Sequence, residues 1–120
     1  NNRCGIALHR ACRKNHLCVV RVLLQDKRLD PHDNCGDFIL IASRCGNTKV
    51  VKELLKDRRV DPSVYNNAAI CAAAENNHYK IVKLLSKDPR VDTQRALEFA
   101  QERGHAEIVH LLTKKKLKNE

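Results

Sequence analysis

Aromatic residues are scarce in this chain of 120 residues: two Tyr, two Phe and no Trp, 3 % in all. A core without rings must be aliphatic. Phe38, Tyr65, Tyr79 and Phe99 are too few and too scattered to stack successive bases of a single-stranded nucleic acid. No run of 18 apolar residues occurs, so no membrane-spanning helix is expected. The four glycines are not clustered, and G-x-S-x-G, H-E-x-x-H and phosphate-loop patterns are missing. Neither catalysis nor a cofactor is therefore expected. Met is absent even from position 1, and the Asn1-Asn2-Arg3-Cys4 start lacks signal-peptide character, which predicts a piece excised or processed from a longer chain. Six cysteines, Cys4, Cys12, Cys18, Cys35, Cys45 and Cys71, show no disulfide-framework spacing and read as reduced intracellular thiols, cytoplasmic or nuclear.

Against these absences stand 42 % hydrophobic and 31 % charged residues, a globular balance with room for one domain over 1–120. The net charge of +9 favours anionic partners in general, whether nucleic acid, acidic protein or lipid head group.

The organising feature is a repeat. Val19-Val20-Arg21-Val22-Leu23-Leu24-Gln25-Asp26-Lys27-Arg28-Leu29-Asp30-Pro31 returns 31 residues on as Val50-Val51-Lys52-Glu53-Leu54-Leu55-Lys56-Asp57-Arg58-Arg59-Val60-Asp61-Pro62. A third copy opens at Ile81 after another 31, and a fourth at Ile108 after only 27, the shortfall lying just after Asp92. The repeats run over about 1–31, 32–62, 63–92 and 93–120. Each reads as two short helices. The first carries small or apolar residues at helical spacing: Leu8, Ala11 and Cys12; Ile39, Ala42 and Ser43; Ile70, Ala73 and Ala74; Leu97, Ala100 and Gln101. The second has an apolar stripe such as Val50, Val51, Leu54 and Leu55. Between them sit Asn15, Gly46, Asn77 and Gly104, residues that tolerate φ > 0 at a tight reversal. Asp30 to Gly36 and Asp61 to Asn67 read as polar loops. A helix pair of this size cannot bury its apolar face alone, so the expected fold class is all-α: an α-solenoid of four stacked pairs.

Leu8-His9-Arg10-Ala11, Asn15-His16 and Val19 to Leu24 resemble the ankyrin repeat's leucine-histidine-x-alanine, glycine-histidine and valine-rich second-helix pattern. Ala73 to His78 and Ala100 to His105 repeat the resemblance, which covers essentially the whole chain. The family's usual threonine-proline at the start of the first helix is missing: Ile6-Ala7, Asp37-Phe38, Ala68-Ala69 and Arg95-Ala96 stand there.

His16, His78 and His105 share one repeat position with Asn47, so a side chain bonding neighbouring loop backbone explains the row better than a metal or catalytic row does. Cys4, His9, Cys12, His16 and Cys18 lack C-x2-C spacing, and buried core thiols explain them better than zinc. No metal is expected. Arg21, Lys52 and Lys83 form a ladder on the outer helices, and Arg28, Arg59 and Arg90 lie beside Asp30, Asp61 and Asp92. Both sets read as a solvated face, partly paired with nearby Asp, rather than as a phosphate ridge. The tail Lys114 to Lys118 stands outside the pattern, as a solubilising cap or an anionic contact.

Ankyrin-like arrays recognise partners through the connector fingers and the exposed ends of the first helices, on the concave side. The resemblance carries that role to Arg13, Lys14, Asp33, Asn34, Asp37, Arg44, Cys45, Val64, Tyr65, Glu75, Asn76, Glu102 and Arg103. The groove would be basic at Arg13, Lys14 and Arg44 and acidic at Glu75, Glu98 and Glu102. The expected function is a monomeric, non-enzymatic scaffold that binds another protein; binding of nucleic acid or another anionic surface is the alternative. Two further expectations concern architecture. The shortfall after Asp92 predicts a stunted finger, and apolar Ile6 at the start of the first helix predicts a face once covered by a preceding repeat.

Overall fold

A computed structural model describes the backbone of residues 2–27 and 38–119, and the side chains of 6–27 and 38–115. The first finger, with the expected site residues Asp33, Asn34 and Asp37, lies outside the described residues, as do the connector residues Arg28 and Asp30. The described residues form helices and turns without a strand. The chain divides into two compact units, Asn1–Asp61 and Pro62–Glu120.

The first unit holds α1 (Asn2–Lys14), α2 (Leu17–Leu24), α3 (Phe38–Cys45) and α4 (Thr48–Leu55). α1 pairs with α2 and α3 with α4, while α1 lies beside α3 and α2 beside α4. The second unit repeats this with α5 (Val64–Glu75), α6 (Tyr79–Ser86), α7 (Gln94–Arg103) and α8 (Ala106–Asn119). Each unit is thus two stacked helix-turn-helix repeats, the building plan of an α-solenoid.

The reversals follow from four residues. Asn15, Gly46, Asn77 and Gly104 have φ of 63°, 79°, 60° and 73°, the left-handed conformation that their side chains, or lack of one, tolerate. The next residue in each case then donates its backbone N–H five residues back: His16 to Ala11, Asn47 to Ala42, His78 to Ala73 and His105 to Ala100, at 2.8–3.0 Å. That bond satisfies a carbonyl at the end of the first helix. The same residue accepts the first bond of the second helix, from Val20, Val51, Val82 and Val109 respectively. One position therefore closes one helix and opens the next.

The core is aliphatic. Leu8, Ala11, Cys12, Val20, Ile39, Ala42, Val50, Val51 and Leu54 are buried in the first unit, with Phe38 the one ring among them. Ile70, Ala73, Ala74, Ile81, Val82, Leu85, Ala100, Ile108 and Leu112 are buried in the second. Two expectations change. Val19 is 44 % exposed whereas its counterpart Val50 is fully buried, because α4 rests its side on α2. Gln101 faces solvent instead of joining the small inner residues, as a long polar amide must unless it is paired. Helix α1 starts at Asn2, ahead of Ile6, which is 56 % exposed.

Candidate functional site

The framework residues spend their polar groups inside the array. Asn47 Nδ2 donates to Cys12 O and, at 3.2 Å, to Arg13 O, tying the turn after α3 to the end of α1. One repeat pair later, His105 Nε2 lies 3.0 Å from Glu75 O. A carbonyl only accepts, so that ring nitrogen carries the hydrogen. Within each unit the recurring His/Asn position thus fastens one first helix to the other. His16 is exposed.

The connectors use an aspartate–arginine brace. Asp57 Oδ1 accepts from the backbone N–H of Arg59 at 2.9 Å and from its Nε at 3.0 Å, and Oδ2 accepts from Nη2 at 2.7 Å. The guanidinium so held donates to Asp26 O at 2.9 Å and Leu24 O at 2.6 Å, carbonyls just beyond and at the end of α2. Asp88 and Arg90 repeat the local clasp. Arg59 and Arg90 are thus each clasped by the aspartate two residues before them. Bonding to arginine holds both carboxyls below their ordinary values, against the opposing effect of burial. On the outer ladder, Arg21 pairs with Glu53 at 2.8 Å and lowers that carboxyl too.

Among the described residues, Ser63 and Thr93 precede α5 and α7 without a capping side-chain bond. Asp92 Oδ1 instead accepts from Gln94 N at 3.0 Å. The shortfall after Asp92 leaves only residues 91–93 between the preceding turn and α7, so no finger projects there.

The second finger differs from an open loop. Tyr65, Asn66 and Asn67 form consecutive left-handed residues, with φ of 54°, 56° and 63°, closed by Asn67 N donating to Ser63 O at 3.0 Å. Asn67 Oδ1 accepts from Asp92 N at 3.1 Å, and Asn66 O accepts from Arg95 Nη1 at 2.6 Å. Arg95 also lies over the Phe99 ring, 5.8 Å from its centre. The turn is braced from the α7 side, and Tyr65 stands 63 % exposed. Asn66, Asn67 and Arg95 were not among the expected site residues, although two adjacent asparagines after Pro62-Ser63 signal φ > 0.

In the first unit the structure brings Arg13 and Lys14, at the end of α1, beside Arg44 and Cys45, at the end of α3, all exposed. In the second unit Glu75 and Asn76 end α5, and Glu102 and Arg103 end α7. Arg103 Nη2 pairs with Glu75 Oε1 at 2.7 Å, so part of the expected acidity is already neutralised. Val64 and Tyr65 sit at the opposite end of α5 from Glu75 and Asn76. Among the thiols, Cys12 and Cys71 are buried, and burial pushes Cys71 up; Cys18 and Cys45 are exposed. No helix among the described residues is long and apolar enough to cross a membrane.

A search of the curated proteins returned no match. The family profile described as "Ankyrin repeats (3 copies)" matches residues 8–95 and again 39–120. Ankyrin repeats are in general protein–protein interaction modules and typically not enzymes. With helix pairs, left-handed reversals and inter-repeat bonds all recurring over the matched span, the chain belongs to the ankyrin repeat family.

Proposed function

We propose that the chain acts as one non-enzymatic array over residues 1–120, holding another protein against its first-helix ends and finger turns. The observation that carries this reading is the turn at Tyr65. A tyrosine in the left-handed region costs about 1–2 kcal/mol relative to the right-handed one. Such strain persists where the surroundings hold it, and here Asp92 and Arg95 bond the two residues that follow Tyr65, Asn67 and Asn66. The result is an exposed ring with little backbone freedom left to lose. Aromatic side chains of this kind dominate binding energy in protein interfaces, and pre-organisation lowers what association costs.

The further residues proposed to meet the partner are Arg13, Lys14, Arg44 and Cys45 in the first unit and, in the second, Glu75, Asn76, Glu102 and Arg103. Their charge changes from unit to unit over an unchanging framework, which suits selective recognition of a partner with matching polarity. The experiment is affinity capture from native lysate with and without nuclease, followed by titration of the captured protein against Tyr65→Ala. Binding should survive nuclease and weaken about tenfold or more in the variant. Loss on nuclease treatment, or indifference to Tyr65→Ala, would contradict the reading.

A further inference from the structure

The first and second helices of the array differ in how they spend charge, and one groove between second helices has none of the expected balance. In the first unit, the groove between α2 and α4, about 320 Å³, is lined by Arg21, Gln25, Glu53, Lys56 and Asp57. Glu53 takes Arg21 at 2.8 Å and has Lys56 at 3.8 Å, and Asp57 takes Arg59. Cations and carboxylates cancel. The matching groove in the second unit, between α6 and α8, is larger, about 530 Å³. Position for position, Arg21 becomes Lys83, Gln25 becomes Lys87, Lys56 stays Lys114, Glu53 becomes Leu111 and Asp57 becomes Lys115. Both carboxylates are gone and no acid lines the groove. Among the described residues Lys83, Lys87, Lys114 and Lys115 make no ion pair. Lys115 does act on Asp88, but Arg90 already holds that carboxylate at 2.8 Å.

We propose that the groove between α6 and α8 binds a short acidic peptide segment carrying an apolar side chain between its carboxylates. Four unpaired amines around one groove repel one another and leave complementary charge to be supplied from outside. Leu111 replaces an acid by an apolar floor, beside the half-buried ring of Tyr79. A phosphodiester backbone would satisfy the amines and leave this floor empty, and one ring is no platform for successive bases. The eight residues of α6 span about 12 Å at 1.5 Å per residue, the length of three or four extended peptide residues. This surface lies on second helices and is separate from the first-helix ends and finger proposed above.

The test uses the 120-residue chain and a fluorescein-labelled peptide with one leucine flanked by two glutamates on each side. Fluorescence anisotropy should report saturable binding, weakened when glutamine replaces the glutamates or glycine the leucine. Leu111→Glu with Lys115→Asp restores the acids of the first-unit groove and should weaken binding about tenfold. Gln25→Glu with Lys49→Glu changes net charge equally at residues that do not line the groove, and should leave affinity within about twofold. Lys83→Gln, Lys87→Gln and Lys114→Gln together provide a second variant that leaves Leu111 in place. Absence of binding, equal losses in the two charge-matched variants, or tighter groove-dependent binding of a labelled oligothymidylate than of the peptide would overturn the proposal.

Discussion

At the residue scale, the repeating polar positions act by reaching into the neighbouring repeat. Asn47 satisfies two carbonyls of α1, so Asn47→Ala should lower unfolding free energy by about 1–2 kcal/mol, while His16→Ala, at the matching exposed position, should stay within about 0.5 kcal/mol. Urea titration followed by circular dichroism measures both. Ser43 is the converse: it is fully buried and its Oγ is without a hydrogen-bond partner. Ser43→Ala should therefore stabilise the fold by about 1 kcal/mol in the same titration. The aspartate–arginine braces set an acid limit. Arginine depresses the folded pKa of Asp57 and Asp88 below the unfolded value of about 3.9, so their stabilisation is present above about pH 4 and is lost as pH falls through the folded values. Asp57→Asn with Asp88→Asn should flatten the fall in melting temperature below pH 4; an unchanged slope would show that the braces do not govern it.

At the element scale, the left-handed turn at the start of α5 joins stability to binding. Tyr65→Gly relieves a left-handed side chain and should raise stability by about 0.5–1 kcal/mol, even as it removes the exposed ring and weakens partner binding. A variant less stable than wild type would show that the ring packs on the fold instead of standing ready for a partner. This element also marks how far the sequence could be read. Helix pairs were legible because Leu8, Ile39, Ile70 and Leu97 recur in register and Asn15, Gly46, Asn77 and Gly104 punctuate them. The shared role of Asn47 and His105 was legible because only side chains able to bond backbone occupy that position. The left-handed Tyr65 was not, because only Asn66 and Asn67 carry a local signal for φ > 0 and the bonds that hold them come from Asp92 and Arg95, about 25 residues away and more. Nor was the pairing of Arg59 with Asp57, since Asp61 is equally close along the chain and spacing alone does not choose between them.

At the scale of the whole molecule, the count of 23 basic residues overstates the cations available to a partner. Arg21, Arg59, Arg90 and Arg103 are each engaged by a carboxylate within 2.8 Å. The number of basic residues is thus a poor guide to a binding surface, and the proposed function turns on where the remaining ones lie. The central claim of the proposed function is that the partner protein is held at the first-helix ends and the braced finger. It is tested most directly by measuring the affinity of the captured protein for two charge-matched variants. Arg13→Glu, Lys14→Glu and Arg44→Glu together reverse three exposed residues at first-helix ends, while Lys49→Glu, Lys52→Glu and Lys80→Glu reverse three exposed residues on second helices. Both variants shift net charge by the same amount. The account predicts a loss of about tenfold or more in the first and about twofold or less in the second; equal losses in the two would contradict it.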